Sequence, residues 1–305
     1  MRYFVFSLAL FISSWSLAFQ VKIVTKQNLS FTAESADSIE RTDEKFQVIA
    51  NDPQIEKLIR LAVQDTVKLL PSQYLPPQLT VNIEDSATFT DLKGNSEKIP
   101  LSLIFSIQIP ARIEIQFTEF EIKGNTRAIA TIVSHETGHM LIEWACRSKG
   151  ITKADQPFLS HLGGSIYEGI ADYVSATVNH TSMIGGAPSW FSRDILRFKT
   201  VDEARAYKEN SVETVEQGLM AEGLIPQYHT YTNMIESLKA ELAEDPTYKD
   251  PYLEGTWLAG QLWLLNQTQG VQKVFDAVLV VASSGEKIGD PQIFLSEVRS
   301  HLNLK

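Results

Sequence analysis

The chain has 305 residues, 37 acidic against 27 basic side chains and a formal net charge of −10. That balance gives no support to nucleic-acid binding, which calls for clustered lysine and arginine. A single cysteine, Cys146, excludes an intrachain disulfide, so the fold must rest on its own core.

Met1 and Arg2 precede an apolar run that ends at Ser16-Leu17-Ala18, with small residues where a signal peptidase reads. The run is too short to span a bilayer comfortably. Residues 1–18 are therefore expected to be a signal peptide, and the mature chain to be exported, secreted or periplasmic, without a transmembrane anchor. Residues 19–43 are mixed and polar and are expected to form an extended arm or a pro-segment.

From 43 to 70 the spacing of Ile55, Leu58, Ile59, Ala62, Val63, Val67 and Leu70 predicts a helix, with a start marked inside it by Pro53. Pro71, Pro76 and Pro77 end it. Strands are expected over 79–83, 101–109 and 112–122, with Asp91, Gly94 and Asn95 in a turn. The last strand leads into the next helix and could be a sheet edge that pairs with an extended chain, or an ordinary strand.

Asn125 is an N-cap candidate for a helix carrying Ile129, Ile132, Val133, Met140, Leu141, Ile142 and Trp144, with Gly150 at its end. Inside it stands His135-Glu136-Thr137-Gly138-His139. Two imidazoles four positions apart are separated by roughly 40° of rotation and one turn of rise, so both can reach one metal ion. Glu136 lies beside that ion, where a carboxylate can take a proton from metal-bound water. The alternative is a pair of buried histidines hydrogen-bonded to neighbours, a costly arrangement without a common partner. Cys146, on the same stripe as both histidines, reads as a small core residue and not a nucleophile.

A catalytic zinc ion usually takes three protein ligands and keeps a position open for water. Glu143 lies eight residues after His135, roughly 12 Å along the axis, and cannot share the ion. A third histidine six positions after the second is absent, since Ala145 stands there. The better candidate is Glu168, in Ser165-Ile166-Tyr167-Glu168-Gly169-Ile170-Ala171-Asp172-Tyr173, a predicted helix after Gly163-Gly164. Asp172, one turn on, is placed to accept a hydrogen bond from the second nitrogen of His135. Ser165 and Glu168 also have the spacing of a capping box, which needs no metal. Further helices are expected over 189–208, 211–222, 230–244, 252–267, 270–283 and 291–303, and the sequence contains no internal repeat.

These motifs resemble the gluzincin metallopeptidases, the thermolysin-like superfamily, which use a His-Glu-x-x-His helix, a glutamate ligand on the next long helix and an aspartate one turn later. The resemblance covers mainly residues 112–265. It implies an α+β, zincin-like fold over 44–305, with a small mixed-sheet lobe (44–150), a mainly helical lobe (151–305) and the active-site cleft between them. It implies one catalytic Zn2+ held by His135, His139 and Glu168, with Asp172 behind His135 and Glu136 as general base and acid. One branch places a tyrosine in a Pro-Tyr-x-x-Gly context against the tetrahedral intermediate. Pro251-Tyr252-Leu253-Glu254-Gly255 matches that context, with His229 as a rival donor and simple helix packing as the other role for Tyr252. The amino-terminus-anchoring segment of the aminopeptidase branch and the oxyanion-binding histidine context of thermolysin are both missing. The chain therefore resembles a divergent gluzincin, with a peptide or protein as substrate and endopeptidase activity. Two other readings stay open: a retired scaffold that binds a metal or a partner, and hydrolysis of a non-peptide amide.

Overall fold

The computed structural model describes residues 20–23, 27–31, 53–71, 79–84, 86–90, 96–100, 112–116, 126–151, 164–185, 192–207 and 251–304, with isolated positions at 220, 236 and 239. The predicted signal peptide, the strand over 101–109 and His229 lie outside the described residues, as do nearly all of the helices at 211–222 and 230–244.

Among the described residues, six short strands precede the central helices. Strands β1 (Gln20–Ile23), β4 (Ser86–Thr90) and β5 (Ser96–Pro100) form an antiparallel sheet in the order β1-β4-β5. Strands β2 (Gln27–Phe31), β3 (Leu79–Glu84) and β6 (Arg112–Gln116) form a mixed sheet. In it β2 runs antiparallel and β6 parallel to β3, with Val81 opposite Ile113. Among the described residues β6 is at the end of this order. The turn expected at 91–95 lies outside the described residues; the strands on either side of it, β4 and β5, pair antiparallel.

Within the segment expected as an extended arm or pro-segment, β1 and β2 pair into the two sheets. Gln-Val-Lys-Ile and Gln-Asn-Leu-Ser-Phe alternate over only four or five residues, too short a run for periodicity to stand out. Pairing nonetheless gives their backbone groups partners.

Helix α1 (Pro53–Val67) starts at the proline that marked it. It packs on α2 (Thr126–Ser148), which in turn packs on α3 (Gly164–Asn179). Helix α2 is enclosed on every face: from Ile129 to Cys146 only Ala130 and Trp144 are less than fully buried. Several polar groups at this packing surface are hydrogen-bonded inside the protein. Thr137 Oγ1 donates to the Val133 carbonyl at 2.7 Å, Ser175 Oγ to the Thr131 carbonyl at 2.6 Å, and Asn179 Nδ2 to Ser134 Oγ at 3.1 Å. The helix ends in a Schellman arrangement. Gly150 takes φ +77°, its N–H meets the Arg147 carbonyl at 2.9 Å, and the Ile151 N–H meets that of Cys146 at 3.0 Å.

The helix expected over 189–208 needs a correction. The chain there makes a two-stranded ribbon, β7 (Met183–Ile184) with β8 (Arg193–Asp194), and then the short helix α4 (Val201–Ala206). The sequence carries the reason: Thr200 and Glu203 form a full capping box, which starts the helix at Val201 and not before. Helices α5 (Pro251–Gln269), α6 (Val271–Ala282) and α7 (Pro291–His301) follow the expected spans closely. No described helix is long and apolar enough to cross a membrane.

Helix α3 lies between α2 and α5. Its crossing with α5 is glycine on glycine: a methyl group on Gly169 would sit 2.8 Å from the Gly255 carbonyl oxygen, and one on Gly255 2.8 Å from that of Ser165. Both contacts are with backbone, which cannot swing aside. Gly255→Ala is therefore expected to cost about 1–3 kcal/mol as the helices are forced apart, read as a lower midpoint in urea unfolding. An unchanged midpoint would show that the crossing relaxes freely.

Candidate metal centre

Three stripes of α3 organise the site. Tyr167, Ala171 and Val174, spaced by four and three, face α2. A methyl group at Gly138 would meet the Val174 Cβ at 3.1 Å and the Ala171 Cα at 3.3 Å, so glycine in the His-Glu-Thr-Gly-His segment lets the helices approach. Glu168, Asp172 and Ser175 form the polar stripe, reaching His139, His135 and Thr131 in turn. That order runs backwards along α2, so the two helices are antiparallel. Gly169 forms the third contact line, against Gly255.

This packing brings Nε2 of His135 and Nε2 of His139 to 3.1 Å from each other, and each lies 3.3 Å from Glu168 Oε2. Glu136 offers its carboxylate in the same place: the ligand atoms of His135, Glu136 and His139 all fall within 4.8 Å of one another. The two imidazoles stand edge to face, with centroids 4.6 Å apart and planes at 86°. All four side chains are at least largely buried, with His135 fully so.

Behind His135, its Nδ1–H donates to Asp172 Oδ1 at 2.7 Å, which leaves the Nε2 lone pair directed at the cluster. Asp172 is held in turn by Arg193 from β8, Nη2 to Oδ1 at 2.7 Å and Nε to Oδ2 at 3.0 Å. The Arg193 guanidinium lies over the Tyr252 ring at 4.4 Å. Tyr252 thus joins the cluster through Arg193, while a methyl group on Gly255, one turn on, would lie 3.4 Å from the Glu168 Cβ.

The charge states follow from these contacts. Burial disfavours ionised Asp172, but Arg193 and then His135 outweigh it and hold the carboxyl below its ordinary range. Burial also opposes Glu168, and the two histidines reverse it and keep the group ionised. His135 is lowered by burial yet raised overall to about 9, because Asp172, Glu168 and Glu136 all favour its cation. For His139 burial prevails, and its pKa is lowered. Glu136 is pushed up to about 8, chiefly by burial, with Glu168 adding and His135 and Arg193 opposing.

The donor set fits a zinc ion. With bonds of about 2.0–2.1 Å, tetrahedral geometry puts neighbouring donors about 3.3–3.4 Å apart, close to the spacings seen among the two Nε2 atoms and Glu168 Oε2. Glu136 Oε1 and Glu168 Oε2 are buried without a hydrogen-bond partner among the described residues, a costly arrangement unless a cation or proton lies among them. The surroundings that hold a proton on His135 equally attract a divalent ion.

Sequence reasoning singled out His135, Glu136, His139, Glu168 and Asp172, and the fold brings all five together. It missed Arg193 and Tyr167. A buried Asp172 calls for a cation, but nothing in Ser192-Arg193-Asp194 marks this arginine as the one. Glu143, set aside by distance, pairs with Arg147. The Cys146 thiol donates to the Ala282 carbonyl at 3.3 Å and is pushed up to about 12, chiefly by burial, in keeping with a core role.

Comparisons with protein-family models, with curated proteins and with solved structures give no match to this chain.

Proposed function

We propose that this chain is an exported zinc-dependent peptidase, a divergent gluzincin that cleaves internal peptide bonds. The observation that carries the reading is the convergence of His135 Nε2, His139 Nε2 and Glu168 Oε2 at 3.1–3.3 Å, beside a buried Glu136 oxygen with no hydrogen-bond partner among the described residues. His135, His139 and Glu168 would hold the ion. When bound, zinc supplies Lewis acidity to a carbonyl and lowers the pKa of a coordinated water towards about 7.

The remaining steps belong to the chain. Glu136 accepts the proton of the attacking water and returns it to the leaving amine. Asp172 keeps His135 in the tautomer whose Nε2 is free to ligate. Arg193 fixes Asp172 and sits on the Tyr252 ring. Tyr252 is the proposed donor to the developing oxyanion, a contribution worth about 3 kcal/mol in comparable sites. Strand β6, the last in its sheet among the described residues, would present its outer edge to an extended substrate. The apolar run before Ala18 supports export.

The test is direct. The mature protein, assayed on unfolded casein, is expected to contain one zinc per chain by elemental analysis, to cleave, and to stop cleaving in chelator. Cleavage that survives complete removal of zinc would refute the metal mechanism. Bound zinc without cleavage of any protein substrate would refute the peptidase assignment.

A further inference from the structure

Ligating histidines are ordinarily steered by a hydrogen bond on the second ring nitrogen. His135 has such a bond, to Asp172. His139 does not: its Nδ1 is buried and has no hydrogen-bond partner among the described residues. What lies against His139 is Tyr167, with ring centroids 4.1 Å apart and planes within 23° of parallel. The two rings are stacked face to face, and aromatic rings in contact favour particular relative orientations.

The local structure makes this contact rigid. Tyr167 begins the stripe that continues through Ala171 and Val174, the residues that meet Gly138 on α2. Glu168, the next residue, reaches His139 Nε2 from the side at 3.3 Å. Consecutive residues of α3 therefore hold one imidazole on two of its surfaces, Tyr167 on the flat face and Glu168 at the edge. Gly138, immediately before His139, lets α3 come close enough for the stack.

We propose that Tyr167 is a positioning residue for His139, fixing its ring by stacking where His135 is fixed by a hydrogen bond. The inference rests on the metal-centre reading above and adds to it a division of labour between the two imidazoles. It also makes the aromatic ring, and not the phenol oxygen, the functional part of Tyr167.

The experiment compares Tyr167→Phe and Tyr167→Leu in the full mature protein, with Tyr167→Met as a milder variant should leucine disturb folding by circular dichroism. Zinc affinity is measured by competition with a chromophoric chelator. The phenylalanine variant is expected to match the wild type, and leucine or methionine to bind about tenfold more weakly. In excess chelator the His139 ring protons of wild type and Tyr167→Phe should show a ring-current shift in NMR spectra that the leucine variant lacks. Equal zinc affinity in all variants would overturn the proposal, as would a loss in Tyr167→Phe as large as that in Tyr167→Leu. Failure of the wild type itself to bind zinc, with the ring-current shift present, would instead overturn the metal-centre reading on which the proposal stands.

Discussion

Replacing Glu136 with glutamine should leave zinc content and fold intact and reduce peptide hydrolysis by about 10²–10⁴-fold, the range for loss of a general base. Glutamine keeps the shape of the side chain but cannot take a proton. Glu136 is not one of the three proposed ligands, His135, His139 and Glu168, so metal binding should persist. The substitution has a second expected consequence. Burial raises the Glu136 pKa from 4.5 to about 8, so the folded state holds a proton that the unfolded chain has already lost between those values. Stability in chelator should accordingly fall as pH rises from 4.5 towards 8, and this part of the slope should vanish in Glu136→Gln. Urea unfolding at pH 5 and pH 8.5 would read it. A variant that is inactive yet more stable than wild type at the higher pH fits a catalytic carboxylate held in an unfavourable setting. Wild-type hydrolysis by Glu136→Gln would remove Glu136 from the mechanism.

The metal-ligand candidates were legible because they are local. Spacing on one helix put His135 and His139 on a common face, and spacing on another put Glu168 one turn from Asp172. The sequence does not contain the reason those helices meet. Gly138, Gly169 and Gly255 each look unremarkable in the chain, and only the packing makes them the positions at which α3 approaches its two neighbours. Helix α2 also misled in one respect. Its histidines and Cys146 were read as sharing one stripe, but the helix is buried all round, so polar Thr131, Ser134 and Thr137 are inside as well. A fully enclosed helix has no stripe to find.

Arg193 was illegible for a different reason. Its role depends on a two-residue pairing between β7 and β8, in a stretch whose composition favoured helix. Tyr167 was visible as a neighbour of Glu168, but a ring stack across two helices leaves no periodic trace. The β1 and β2 segments were lost to brevity, while α5, α6 and α7 were plain because their apolar periods run over eleven or more residues.

The sharpest structural prediction concerns Asp172. This carboxylate is fully buried, takes two hydrogen bonds from Arg193 and one from His135, and so carries both a charge balance and a ligand orientation. Asp172→Ala leaves the largely buried Arg193 without its counter-charge, at a cost of about 3–5 kcal/mol, and frees the His135 ring, weakening zinc binding by about 10–100-fold. The two losses can be separated. The pair Asp172→Leu with Arg193→Met replaces the ion pair by apolar groups and should recover much of the stability, as buried pairs often do. It supplies no acceptor for the His135 Nδ1–H, so zinc affinity should stay low. The pH dependence has a definite sign: the Asp172 pKa lies below its ordinary 3.8, so its contribution is complete above that value and is lost as pH falls through the lowered one. Asp172→Ala should therefore show a shallower acid limb than wild type. Recovery of zinc affinity in the double variant would mean that Asp172 serves only to neutralise Arg193, and that His135 needs no acceptor behind it.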